Sequence, residues 1–132
     1  MEGEIRLSPL LKSLNPVLQP GEYVFCLVAD LSQLHGEEAI LVFKEAEGIT
    51  VILEKQVADR LQLRYSLITA WITLTVHSSL AAIGLTAAFT QALAAEGISC
   101  NVVAAFYHDH IFVPVKDSKK AIETLIHLSK KR

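Results

Sequence analysis

Three neighbouring residues, His108, Asp109 and His110, form the most chemically capable group in the sequence. In an extended backbone, residues two positions apart project to the same side, so the two imidazoles are spaced as a pair of metal ligands would be. With Asp109 and His77 they could hold zinc or nickel. The same residues fit the polar tip of a hairpin, which we favour because the sequence spacing fixes no further ligand. We expect no bound metal and no cofactor.

The two cysteines, Cys26 and Cys100, lie in apolar segments with the composition of β-strands. A cysteine nucleophile needs a nearby base and a lowered thiol pKa, and a dry strand supplies neither. Two isolated cysteines also differ from the dense spacing of a secreted disulfide scaffold. We expect both to be buried thiols in a reducing cytoplasm.

Other familiar catalytic signatures are missing from the sequence. It contains no Gly-x-Ser-x-Gly elbow, no glycine-rich phosphate loop and no paired carboxylates in a cleft-like context. The formal net charge is −2, whereas nucleic-acid binding usually depends on a basic face. We therefore predict that the protein is not an enzyme and binds no nucleic acid.

Periodic patterns in the second half predict a strand followed by a helix. Residues 71–76 alternate between polar and apolar side chains, which is typical of a strand with one buried face. Residues 85–96 place apolar side chains at the spacing of one helix face. Gly97 followed by apolar Ile98 predicts that this helix ends in a Schellman-type turn.

A hairpin and a closing helix are predicted after that turn. Residues 101–107 and 111–115 are rich in β-branched and aromatic side chains, and His108-Asp109-His110 would be the polar tip between them. Pro114 indicates an edge strand or a bulge. The buried stripe of the closing helix comprises Ala121, Ile122, Leu125, Ile126 and Leu128. The resulting order is β-α-β-β-α.

The first half offers a shorter version of this order. Residues 8–21 contain three of the four prolines, which favours turns and extended pieces in a lead-in segment. A buried strand is predicted at 23–28, an antiparallel hairpin over 39–53 and a short helix within 55–63. The segment 30–38 stands where the second half has its first helix.

These patterns predict an α+β protein of two lobes, each with an antiparallel sheet and helices on one face. We divide the chain into an N-terminal degenerate lobe with a proline-rich lead-in, residues 1–66, and a C-terminal lobe, residues 67–132. Open sheet edges are usually covered by pairing, so we expect a homodimer.

One long uncharged stretch, Tyr65–Ala95, could suggest a membrane span. Serine, threonine, histidine and glutamine residues interrupt it throughout, so we predict no membrane association. The acidic start, Met1–Arg6, lacks the basic and apolar regions of a secretory signal. We expect a cytoplasmic protein.

The strand 71–76, the loop 77–84, the helix 85–96 and the segment 97–103 follow one another in a pattern similar to the effector-binding segment of aspartate kinase regulatory domains. The run Ala121–His127 resembles the closing helix of the same domains. The second half therefore resembles an ACT domain, a β-α-β-β-α-β module that binds amino acids. With the first half included, the chain is similar to small standalone bacterial proteins built of two ACT lobes. The resemblance implies two ferredoxin-like lobes and a regulatory role.

The resemblance also implies a ligand pocket where two lobes meet. The helix N-terminus near Gly84 would present unpaired N–H groups to a ligand carboxylate. Asn101 and the carbonyl groups of Ser99 and Cys100 would accept hydrogen bonds from an α-amino group. The implied ligand-binding residues are Ser78, Ser79, Gly84, Leu85, Thr86, Ser99, Cys100, Asn101 and Val102. A plain strand-to-helix turn with capping hydroxyls is the alternative interpretation of the loop.

The function that we predict is non-catalytic sensing of a small ligand, a free amino acid, by a regulatory protein. The alternative is a structural or protein-interaction module with a degenerate pocket, whose sheet edge recruits a partner strand. A third hypothesis is a small metal-dependent enzyme around His77, His108 and His110.

Overall fold

A computed structural model describes residues 6–76 and 83–130 of the 132-residue chain. The chain forms two compact units: the large unit runs up to Gln19 and resumes at Ala70, and the small unit comprises Pro20–Thr69. The lead-in segment thus packs with the second half of the chain. No helix in the described ranges has both the length and the apolarity to cross a membrane.

The elements follow one another as the patterns predict, with a short helix and a short strand added in the lead-in segment. In chain order they are α1 (Leu7–Ser13), β1 (Pro16–Leu18), β2 (Tyr23–Val28), β3 (Leu41–Glu45), β4 (Gly48–Glu54), α2 (Lys55–Arg60), β5 (Thr69–Leu74), α3 (Leu85–Ala95), β6 (Asn101–Ala104), β7 (Asp109–Pro114) and α4 (Ser118–Lys130). Short 3-10 turns occupy Leu31–Leu34 and Val115–Asp117.

The sheet of the large unit has the strand order β1-β5-β7-β6. Strand β1 pairs antiparallel with β5, and β6 pairs antiparallel with β7. The predicted β-α-β-β-α order is confirmed, and β1 supplies the remaining strand of a ferredoxin-like lobe from ahead of it in the chain. Side chains of α1, α3 and α4 pack on one face of this sheet. The largest fully buried side chains of this core, from helices and strands together, are Phe89, Leu10, Leu11, Ile72, Leu74, Leu93, Ile111 and Leu125.

The end of α3 confirms the predicted Schellman turn. Gly97 has a φ of +74°, and its N–H donates to the Ala94 carbonyl at 2.9 Å. The Ile98 N–H donates to the Leu93 carbonyl at 3.0 Å, which completes the motif. Ile98 is buried beside Leu93 in the core, so the turn also anchors the helix end.

The predicted tip of the second hairpin is wrong. Strand β6 ends at Ala104 and β7 begins at Asp109, so the turn contains Phe106 and Tyr107, whereas Asp109 and His110 are strand residues. Phe106 and Tyr107 have the β-forming composition of a strand, but the pairing of β6 with β7 stops at Ala104 and Asp109 and does not include them. Pro114 ends β7, which has neighbours on both sides, so it does not mark an edge strand.

The small unit has a sheet of order β3-β4-β2, in which β2 and β3 each pair antiparallel with β4. The hairpin turn between β3 and β4 ends at Gly48, whose φ of +154° is one that side chains rarely allow. Between β2 and β3 the chain forms only the 3-10 turn, begun by Asp30 in a capping box with Gln33. This confirms the prediction that the segment 30–38 replaces the first helix in this lobe.

Candidate functional site

The first group of predicted site residues lies at the start of α3. Gly84 precedes the helix with a φ of +94°, and it has no side chain with which to cap the first N–H groups. Leu85 is 3% exposed and belongs to the core, so only its backbone can face a ligand. Thr86 is exposed. Ser78 and Ser79 lie outside the described residues.

The second group lies after the end of α3, where the chain enters β6. Ser99 and Asn101 are exposed, whereas Cys100 and Val102 are half-buried against the core. Helix α3 has 11 residues and is therefore ~16 Å long. Because this helix separates Gly84 from Ser99, the two groups of one lobe cannot contact the same amino acid.

The thiols of Cys26 and Cys100 have raised pKa values. Burial raises the pKa of Cys100 to about 11, and burial with the nearby Asp59 carboxylate raises that of Cys26. Both groups therefore carry their proton near neutral pH, where a nucleophile would need to be a thiolate. Cys26 is buried as predicted, and Cys100 is partly exposed.

A polar network lies on the sheet face of the large unit that points away from the helices. The Trp71 Nε1–H donates to His110 Nδ1 at 3.0 Å, and Thr73 Oγ1 lies 3.1 Å from the same nitrogen. Gln19 Nε2 donates to Thr73 Oγ1 at 2.9 Å, and the Trp71 ring stacks on Phe112 at 6.2 Å. His110 therefore acts as an acceptor in a strand-to-strand contact.

In this network one nitrogen that the metal hypothesis would need as a ligand is already engaged in a hydrogen bond. His110 Nδ1 accepts from Trp71, and His77 lies outside the described residues. Within residues 6–76 and 83–130, no group of three or more His, Cys, Asp and Glu side chains converges as a metal site would. The structure thus supplies no argument for metal chemistry at His108 and His110.

The fold should lose stability when His110 becomes protonated. Burial, and to a lesser extent the nearby His108, lowers the pKa of His110 below its ordinary 6.5. Unfolded chains then bind more protons than folded ones, so the free energy of unfolding should fall as pH drops below about 6.5. Urea unfolding at a series of pH values across 6.5 measures this.

The substitution His110→Gln should flatten that pH dependence because an amide oxygen can still accept from Trp71 and does not titrate. The exposed His127 provides the matched control, since His127→Gln makes the same chemical change away from the network. A pH slope that survives in His110→Gln would show that another group causes it.

An open cavity of about 290 Å³ lies in the small unit. It is lined by Gly21, Glu22, Glu54, Lys55 and Gln56. The Lys55 ammonium group already binds Asp59 at 2.7 Å, and the Lys55 N–H donates to the Glu22 carbonyl at 2.9 Å. The cavity contains none of the predicted site residues, and its free charges are carboxylates at the surface.

Comparison with protein families finds ACT domains in both halves of the chain. One ACT-domain model matches residues 2–70, and a second matches residues 66–127. No curated protein matches the sequence.

Solved structures share this architecture. A Vibrio cholerae protein described as of unknown function and a possible transport protein is 46% identical, with a TM-score of 0.85 over 93% of this chain and 95% of that one. The ligand-free regulatory subunit of aspartate kinase from Thermus thermophilus is 10% identical, with a TM-score of 0.65 over 86% of this chain and 95% of that one. Aspartate kinase from Clostridium acetobutylicum is 11% identical, with a TM-score of 0.65 over 89% of this chain and 34% of the kinase.

Proposed function

Because this chain belongs to the ACT-domain family, we propose that it is a non-catalytic regulatory protein that senses a free amino acid. The tandem of two ACT matches supports a regulatory, ligand-binding role. The likeness to an aspartate kinase regulatory subunit supports the same fold. We further propose that the protein acts in the cytoplasm as a homodimer.

The observation that carries this proposal is the backbone conformation at the start of α3. Gly84 holds a left-handed conformation there and leaves the backbone open, and Thr86 adds an exposed hydroxyl. Helix N-termini attract carboxylates because their first N–H groups lack acceptors and the helix dipole is positive at that end. The ligand carboxylate would bind at this point.

The second group of predicted residues fits the proposal only if it comes from another lobe. Ser99 and Asn101 lie a helix length away from Gly84, farther than one amino acid extends. We propose that they face a ligand held by a neighbouring lobe, as in a homodimer. A site at a lobe interface would link ligand binding to assembly.

We expect one or two amino acids to raise the melting temperature selectively when each of the twenty is added in excess. A ligand that binds only the native state adds ~2.7 kcal/mol at a hundredfold excess over its Kd. Thermal-shift measurements in EDTA and with added divalent metals exclude a metal effect. A flat response to all twenty, with a folded protein, would refute amino-acid sensing.

The exposed edge of the small unit favours a second function, a protein-interaction module. Strand β3 is an edge strand, and the exposed fractions of its Val42 and Phe43 are 44% and 62%. Apolar edge strands readily add a strand from a partner. This function predicts a partner that copurifies and no response to amino acids, the opposite of the first proposal.

A further inference from the structure

Asp109 is a charged residue in an apolar setting. Its exposed fraction is 8%, and Ile111 and Val113, on the same face of β7, are fully buried. Burial raises the pKa of its carboxyl group, and the nearby His108 only partly opposes this rise. Within residues 6–76 and 83–130, no group donates a hydrogen bond to this carboxylate.

A second polar group beside it also lacks a partner. The Nδ1 atom of His108 is buried and makes no hydrogen bond. Buried polar groups in folded proteins are nearly always satisfied, because each one left without a partner costs free energy. An unsatisfied buried nitrogen next to a largely buried carboxylate that accepts no hydrogen bond from the described residues indicates a place where a bound molecule completes the hydrogen bonding.

The strand pairing puts Asp109 at the same end of the large unit as the start of α3. Strands β5 and β7 are neighbours in the sheet, and they run in opposite directions because Thr73 contacts His110 while Trp71 stacks on Phe112. The carboxyl end of β5 therefore lies at the same end of the sheet as Asp109. Asp109 also pairs with Ala104, at the carboxyl end of β6. Helix α3 ends close to the opposite end of β6, since only residues 96–100 join them.

We infer that Asp109 binds the cationic ammonium group of the ligand whose carboxylate lies at the N-terminus of α3. This inference rests on the proposed function and assigns a binding residue within the same lobe as Gly84. A carboxylate is the stronger partner for an ammonium group than the exposed amide of Asn101, because the bond between opposite charges is charge-assisted. The ligand class is a zwitterion, with ammonium and carboxylate groups close together.

The test is the substitution Asp109→Asn, which keeps the shape of the side chain and removes its charge. The probes are the amino acid that most stabilises the unsubstituted protein and its 2-hydroxy acid analogue, which keeps the carboxylate and lacks the ammonium group. We expect the substitution to weaken amino-acid binding roughly 10- to 100-fold in calorimetric titration and to leave binding of the hydroxy acid nearly unchanged. Glu123→Gln, on the exposed face of α4, is the matched control.

The unliganded Asp109→Asn protein should be at least as stable as the unsubstituted protein, because it loses a buried charge without a partner. A marked loss of stability would show that Asp109 holds the fold together, which overturns the inference. So would an unchanged preference for the amino acid over the hydroxy acid. If the unsubstituted protein responds to none of the twenty amino acids, the proposed function fails at that step, before the variant is needed, and the inference fails with it.

Discussion

Replacing Phe89 with alanine is expected to lower the free energy of unfolding by about 3–5 kcal/mol, the cost of removing a buried aromatic ring and leaving a cavity. Phe89 lies on α3 and is fully buried in the core of the large unit. Natural domains are stable by only about 5–15 kcal/mol, so the variant should melt on the order of 10 °C lower. Urea unfolding followed by circular dichroism measures the loss.

Phe106 provides the matched control for this substitution. It belongs to the same unit, and 68% of its surface is exposed at the turn between β6 and β7. Phe106→Ala makes the same chemical change and should alter stability by less than about 0.5 kcal/mol. Comparable losses in the two variants would mean that the core of the large unit is not built around Phe89.

Local periodicity was sufficient to predict α3 and its end. Phe89 and Leu93 recur at helical spacing, and the Gly97-Ile98 pair has a well-defined meaning at a helix terminus. The alternation over 71–76 likewise predicted which side of β5 joins the apolar core, although Thr73 on the other side is also buried. In both cases, the residues that determine the structure are neighbours in the sequence.

Local patterns failed where the decisive contacts are distant in the sequence. The lead-in segment packs with the second half, since β1 pairs with β5 more than fifty residues later, and no short pattern carries that information. The hairpin tip was misplaced because Phe106 and Tyr107 have strand-forming side chains and the polar residues after them resemble a turn. Asp109 was missed as a buried charge for the same reason.

The predicted binding residues illustrate a different limit. The sequence resemblance assigns Gly84 and Asn101 to the same binding site because both occur in one continuous segment that resembles the family. The fold places them at opposite ends of α3, so their joint role depends on an assembly that the segment itself does not describe. Asp109, which lies outside that segment, is brought to the Gly84 end by strand pairing alone.

Replacing Gly84 with alanine is expected to weaken amino-acid binding roughly tenfold or more, the effect of losing one well-placed carboxylate contact. At a φ of +94° an added Cβ costs about 1–2 kcal/mol, so the backbone should turn away and redirect the first N–H groups of α3. The Cβ would also lie 3.4 Å from Leu7 Cδ2. Calorimetric titration with the amino acid that most stabilises the unsubstituted protein measures the change in affinity.

Gly97 gives the control that separates strain from binding. It lies at the other end of α3 with a φ of +74°, and an added Cβ would meet nothing within 4 Å. Gly97→Ala should therefore destabilise the protein to a similar degree through the backbone while leaving the affinity for the amino acid intact. Equal losses of affinity in both variants would mean that Gly84 acts only through the stability of α3, and the ligand carboxylate would then have to bind elsewhere.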